Sequence, residues 1–320
     1  MIKKFLIVGD NHLDSSRPVS RIDNYMESGL MELQETLQIA EAAKCDYYIL
    51  LGDVFNKIDV GAECRNRAVE LLVSNEGKPW SFEKYLVVGN HDVAQDPDKL
   101  EKSTVKTLIS AGAVKHVNTI PDLPVRFFDF GPFLDKQLNE GLLLNYDEKI
   151  LFLHASITDK PLIFDHVLFQ TLPINPNTKL IFSGHIHRKM SILNENGVHF
   201  MNPGSVGRPE MSQDYEKSKV SVLLLKYDFD TDEYKTKEVN LKYSLPYDVV
   251  FDIEKMGKIK QESQDTEKFI QAVTDETILT EFSSNISEDL KKFAKERKVS
   301  DKVANKAVEV LDIVKTGGTL

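Results

Sequence analysis

Five of the eight histidines in this chain fall in four short polar clusters, each directly after an aliphatic run. The clusters are Asp10-Asn11-His12 after Phe5–Val8, Gly89-Asn90-His91-Asp92 after Tyr85–Val88, His154 after Ile150–Leu153, and Gly184-His185-Ile186-His187 after Leu180–Phe182. A further cluster, Gly52-Asp53, follows Tyr47–Leu51 and has no histidine. These side chains are carboxylates, imidazoles and a carboxamide, with no thiolate. Such an oxygen-and-nitrogen set suits Mn, Fe or Zn rather than a structural cysteine-zinc site. Asp10, His12, Asp53, Asn90, His91, His154, His185 and His187 exceed what one ion needs, and two ions sharing a carboxylate would use them. Taken singly, each piece is ordinary: Gly-Asp is commonly a turn, and a strand-end histidine is commonly a satisfied core residue. Their joint occurrence, in order and each after an apolar run, is what points to a metal.

For these groups to meet, the runs before them must be strands ending at one rim. Ligands in α/β sheets bind outside the carboxyl ends of the strands. Continuous apolar runs of this length suit strands buried on both faces. Further runs at Val125–Phe130, Val198–Met201 and Val220–Leu225 extend the series. Between the first two strands, Ile22, Met26, Leu30, Leu33, Leu37 and Ala40 recur every three or four residues, which predicts an amphipathic helix capped by Ser20. The alternation argues for an α/β body. Val220–Leu225 and Glu233–Leu241, joined by Asp228–Asp232, predict a terminal hairpin.

The composition shifts after Pro246. We expect one α/β body carrying these clusters over residues 1–245 and a small α+β or helical extension over 246–320. Residues 247–255 suggest one more strand. Asp265–Val273, Ile286–Lys298 and Asp301–Val314 suggest helices, with Ser300 as an N-cap and Asn285 with Glu288 as a capping box. Residues 291–306 carry seven basic and two acidic side chains.

The 320 residues give a soft prior of about two domains. With 40 basic and 50 acidic residues the formal net charge is −10, which excludes a uniformly basic nucleic-acid coat but not a local basic patch. Cys45 and Cys64 are read as free thiols of a reducing compartment. No run approaches the ~18 apolar residues of a membrane helix. The N-terminal run reads as a first strand rather than a signal peptide, so a cytoplasmic location is expected.

The series Asp10-x-His12, Gly52-Asp53, Gly89-Asn90-His91-Asp92, His154 and Gly184-His185-x-His187 resembles the calcineurin-like metallophosphoesterases over residues 1 to about 225. The resemblance implies a four-layer α/β/β/α sandwich with a dinuclear centre. One metal would take Asp10, His12, Asp53 and His187, the other Asp53, Asn90, His154 and His185, with Asp53 bridging. Two such cations clamp a phosphoryl oxygen and acidify water for in-line attack at phosphorus. His91 would stabilise or protonate the leaving group, with Asp92 holding its tautomer.

Within that superfamily, the chain resembles the SbcD-type branch, the DNA nuclease subunit that works with an SbcC-type ATPase. The ~40-residue helix-filled interval between the first two motifs, Leu50-Leu51-Gly52-Asp53-Val54-Phe55-Asn56, and the appended C-terminal segment carry this likeness. It implies a Mn-dependent nuclease (Fe or Zn also fitting), a DNA substrate, homodimers, and docking on the ATPase through the C-terminal helices at Leu290, Phe293, Val303, Ala307, Val310 and Val314. Two features depart from that branch. Asp14 stands where it commonly has glycine, and Asn202-Pro203-Gly204-Ser205 resembles small stand-alone phosphodiesterases. A stand-alone enzyme for small phosphodiesters or phosphomonoesters is therefore the first alternative, and a non-catalytic scaffold the second. Arg65, Arg67, Arg188 and Arg208 are candidate phosphate contacts, although a surface role is the commoner fate. His116, His166 and His199 match no motif and are read as structural or exposed. Trp80 and Phe82 are read as packing residues.

Overall fold

The computed structural model describes residues 1–162, 165–212, 219–254 and 257. The chain divides into two compact units, Met1–Phe251 and Asp252–Leu320. The expected helices between 265 and 314, their caps and the basic run at 291–306 lie outside the described residues. Among the described residues, no helix is long and apolar enough to cross a membrane.

The first unit is built from β1 (Ile2–Val8), α1 (Tyr25–Ala42), β2 (Tyr47–Leu50), α2 (Ala62–Val73), β3 (Glu83–Leu86), α3 (Thr104–Ser110), β4 (Val125–Phe128), α4 (Leu134–Asn139), β5 (Ile150–His154), β6 (Leu180–Gly184), β7 (Met190–Leu193), β8 (His199–Asn202), β9 (Ser221–Asp228) and β10 (Glu233–Asn240). Two five-stranded sheets result, ordered β10-β9-β1-β2-β3 and β7-β8-β6-β5-β4. Within the first, β1, β2 and β3 run parallel, while β9 and β10 form the expected hairpin, whose β9 pairs antiparallel with β1. Within the second, β4, β5, β6 and β8 run parallel and β7 closes the edge antiparallel.

Side chains alternate across a strand, and here both faces are covered. Phe5, Ile7, Ile49 and Leu51 point inward and pack with Phe127, Ile150, Phe152 and Phe182 of the facing sheet. Phe127, Phe152 and Phe182 stand side by side in register, with ring centroids 5.3 and 5.4 Å apart and interplanar angles of 21°. The outward residues Leu6, Val8, Tyr48 and Leu50 meet Leu30, Leu33, Leu37 and Ala40 of α1. Leu151, Leu153, Ile181 and Phe200 meet Leu134 and Leu138 of α4 on the far side. The layers are therefore α/β/β/α, as the resemblance implied.

Three local expectations change. The cap of α1 is Asn24, whose side chain accepts from the Glu27 amide, rather than Ser20. Residues 21–22 are drawn off into pairing with 250–251, where the Ile22 amide donates to the Val250 carbonyl. Residues 247–250 form a helical turn instead of a strand, because Tyr247 and Val250 tuck inward beside Phe251. Trp80 and Phe82 stack in the core as expected, and Trp80 Nε1 donates to the Leu71 carbonyl at 2.8 Å. Cys45 and Cys64 are buried free thiols.

Candidate metal centre

β1, β2 and β3 end at the same rim as β5 and β6, and the five polar clusters meet there. Backbone ladders stitch their loops together. The amides of Asn11 and His12 donate to the Asp53 carbonyl, and the Leu13 amide donates to Val54. Asp10 offers its carbonyl to the Val206 and Gly207 amides and to Ser205 Oγ. The Asn202–Ser205 run thus supports the first loop. It also grips the last one, since Asn202 Nδ2 donates to the Ile186 carbonyl at 2.6 Å.

Two ligand clusters emerge. In the first, Asp10, His12 and His187 bring donor atoms within 4.8 Å of one another. His12 Nε2 and His187 Nε2 face each other at 2.9 Å. In the second, Asp53, His154 and His185 do the same. Asn90 Oδ1 joins them, 2.9 Å from His154 Nε2 and 2.8 Å from His185 Nδ1. Asp53 lies between the clusters, with Oδ2 3.4 Å from His154 Nε2 and 3.9 Å from His12 Nε2. Every ligand expected from the sequence is therefore present at one place. His91 also comes within ligand reach of His12 and Asp53.

The local backbone is bent to achieve this. His12, Asp53 and His185 have φ of 48°, 47° and 79°. Left-handed conformations of non-glycine residues are uncommon and concentrate at functional sites. Gly52, at φ 102°, lies under His154, and a Cβ there would land on the imidazole. His154 in turn is fixed by Nδ1–H donating to the Leu51 carbonyl at 2.8 Å, which leaves Nε2 for the centre.

The donor set fits divalent cations. Asp10, His12, Asp53 and His154 are all buried, and His12 Nδ1 has no hydrogen-bond partner. Burial, then the neighbouring His187, holds the His12 imidazole far below its ordinary range. Burial and His154 lower His185 to about 3, and burial lowers His187 to about 4. These three rings are neutral near pH 7, the state a metal requires. Burial pushes the Asp10 carboxyl up to about 7 against the pull of His154. For Asp53, burial also raises the carboxyl, but His154 and His12 outweigh it and hold it below the usual carboxylate range. Burial lowers His154, yet Asp53 and Asp10 lift it to about 10. Two buried carboxylates facing four imidazoles, with His12 Nε2 and His187 Nε2 turned toward each other, form a cradle for positive charge.

Other expected residues take different places. His91 Nδ1–H donates to the Asn56 carbonyl at 2.9 Å, so Asn56 fixes its tautomer. Asp92, expected in that role, instead accepts from the Phe55 and Gly89 amides, both at 3.0 Å, and knits the second loop to the third. Its buried carboxyl is pushed up to about 7 by burial and Asp53. Arg188 pairs with Asp159, and Arg208 is buried on Ser244 Oγ and the Leu245 carbonyl. Arg67 pairs with Glu27, and Arg65 reaches Asn66. His116 binds Asp129, and His199 lies between Ser191 and Tyr234. Asn56 and Tyr25, whose hydroxyl donates to the His12 carbonyl at 2.7 Å, were not foreseen. Backbone carbonyl contacts leave no mark in residue type.

Residues 3–189 match the family model for calcineurin-like phosphoesterases. No curated protein matches the chain. Among solved structures, a dimetal phosphatase from Danio rerio is similar in fold, with 11% identity, 74% of this chain and 96% of that one covered, and a TM-score of 0.50. The family match spans more than half the chain and all five motifs fall at the shared rim: the chain belongs to the calcineurin-like phosphoesterases.

Proposed function

We propose that this chain is a metal-dependent phosphodiesterase acting on DNA, the nuclease subunit of an SbcC/SbcD-like pair. Asp10, His12, Asp53 and His187 would hold one divalent ion, and Asp53, Asn90, His154 and His185 the other. Such ions, for which Mn, Fe and Zn all suit the donor set, would supply Lewis-acid charge that polarises a phosphoryl oxygen and acidifies water. The chain's own residues do the rest. Asp53, bent into the left-handed region, joins the two ligand clusters. His154 is oriented by the Leu51 carbonyl.

The observation that carries the reading is the seat of His91. Its ring centroid stands 4.8 Å from that of His12, and its Nδ1–H is committed to the Asn56 carbonyl. A ring held this way places its second proton, when charged, on Nε2, where it can pass to a leaving oxygen. A sugar alkoxide is a poor leaving group, so that proton matters most for a nucleic-acid diester. Arg188 and Arg208 are engaged elsewhere, so neither supplies the bidentate clamp that suits a phosphomonoester. The SbcD-type run Leu50–Asn56 favours DNA among the diesters. The ATPase would dock on the C-terminal segment, where the sequence alone suggests helices outside the described residues, and homodimers are expected.

A small phosphodiester is the second reading, favoured by the Asn202–Ser205 run under Asp10. The test supplies Mn and compares linear duplex DNA with bis-p-nitrophenyl phosphate, each with Asp53→Ala as control. We expect wild-type chain, alone or with an SbcC-like ATPase, to cleave DNA, and Asp53→Ala to be inert on both. DNA left intact under every condition, with rapid ester turnover, moves the assignment to small esters. Failure to bind Mn even at millimolar supply moves it to a scaffold.

A further inference from the structure

We propose that Asp14 is a positioning residue for His91, acting through Asn56; this rests on His91 as the proton donor. Asp14 is 1% exposed. A carboxylate so buried is costly unless its oxygens are satisfied. Oδ1 accepts from the Ser16 amide at 2.8 Å. Oδ2 accepts from Asn56 Nδ2 at 3.3 Å and lies 3.0 Å from Lys57 Nζ. Lys57 Nζ also donates to Ser16 Oγ at 3.2 Å.

Asn56 is thereby held on two sides. Its amide N–H donates to the Leu13 carbonyl at 3.0 Å, and its side chain is tied to Asp14. With both fixed, its own carbonyl points one way, at His91 Nδ1. The chain of contacts runs Asp14, Asn56, His91, and it ends at the one imidazole in the centre that neither ligand cluster needs. Lys57 balances the charge of Asp14, so the carboxylate acts by orienting Asn56. A glycine at position 14 offers no such acceptor. The function of Asp14 is therefore to fix the direction of a backbone carbonyl two contacts away.

The test has two readouts. The first is the His91 tautomer in the metal-free chain, read from ¹⁵N-histidine spectra and assigned with His91→Asn. The second is the ratio of turnover on DNA to turnover on bis-p-nitrophenyl phosphate, whose leaving group needs no proton. In wild type we expect one tautomer, protonated at Nδ1. Asp14→Asn should yield mixed tautomers. It should lower DNA turnover about tenfold and ester turnover by no more than about twofold, the loss of a misaimed acid. Combining Asp14→Asn with Asn56→Asp exchanges donor and acceptor and should restore both readouts. An unchanged tautomer in Asp14→Asn overturns the proposal whatever the activity. So does an equal fall on both substrates, which marks a general structural role. A wild type that turns over neither substrate defeats the hydrolytic reading, while the tautomer still decides the part played by Asp14.

Discussion

Replacing Gly89 by alanine probes how tightly the centre is built. Gly89 sits where the third loop leaves its strand, and a Cβ there would run into the Asp53 carboxylate and the Asp53 backbone nitrogen. Neither neighbour is free to yield. Asp53 Oδ1 accepts from the His91 amide at 2.8 Å, and the Asp53 carbonyl accepts from the Asn11 and His12 amides. Forcing a methyl into a packed site costs about 1–3 kcal/mol. Losing a hydrogen bond to a buried charged acceptor adds about 1.5–3 kcal/mol. The expected destabilisation is thus on the order of 4 kcal/mol, a large part of the ~5–15 kcal/mol typical of a domain. For a unit of this size that corresponds to a fall in Tm on the order of 10 °C. Asp53 lies between the two ligand clusters and is proposed to serve both, so the same displacement should abolish paired Mn binding. Thermal unfolding in chelator, followed by Mn calorimetry on the folded variant, checks both. A Gly89→Ala chain that melts within about 2 °C of wild type and still takes up two equivalents of Mn refutes the reasoning.

His91→Asn should retain Mn stoichiometry while turnover falls on the order of 10²–10⁴-fold; loss of metal in that variant would make His91 a ligand. Mn uptake should release protons, and its affinity should rise from about pH 6 to about pH 8. This is because His154 and Asp10, raised to about 10 and about 7, must give up their protons. Calorimetry in buffers of different ionisation enthalpy reads this, and a titration without proton release contradicts it. The hydrogen bond to Asp129 raises the His116 pKa above its ordinary value despite burial. Its contribution to stability is therefore full below about pH 6.5 and lost as pH rises through the folded pKa. Melts of wild type and His116→Gln should differ most near pH 6 and converge near pH 9, and a gap that widens with pH would reverse the assignment.

The sheets and the meeting of the polar clusters at one rim were legible because both rest on strong local signals. A strand buried on both faces must be continuously apolar, and a polar cluster at its end has few other reasons to recur five times. The elements that were missed have weak signals. α2 buries only Cys64, Ala68 and Leu72, one residue per turn among charged neighbours. β7 is an edge strand with a single buried residue, Met190. Ser20 looked like a cap because serine before an apolar stripe usually is one. Arg21, pinned to Asp23 and to the Gly207 carbonyl, delays the helix by several residues. Asp92 was placed on His91 because it is the adjacent carboxylate. The actual partner is a main-chain oxygen of a residue 35 positions away.

The ligand clusters draw from both sheets: Asp10 and Asp53 hang from one, His154 and His185 from the other. At the opposite end, Lys149, just before β5, meets Asp232 of the β9–β10 turn at 2.7 Å. The sandwich is therefore clasped at both ends, by an ordinary ion pair at one and by its own chemistry at the other. That second end is tied directly from sheet to sheet, by His154 Nδ1–H on the Leu51 carbonyl and the His185 amide on the Asp10 carboxylate, so the rim should keep its shape in chelator and meet an incoming ion already assembled.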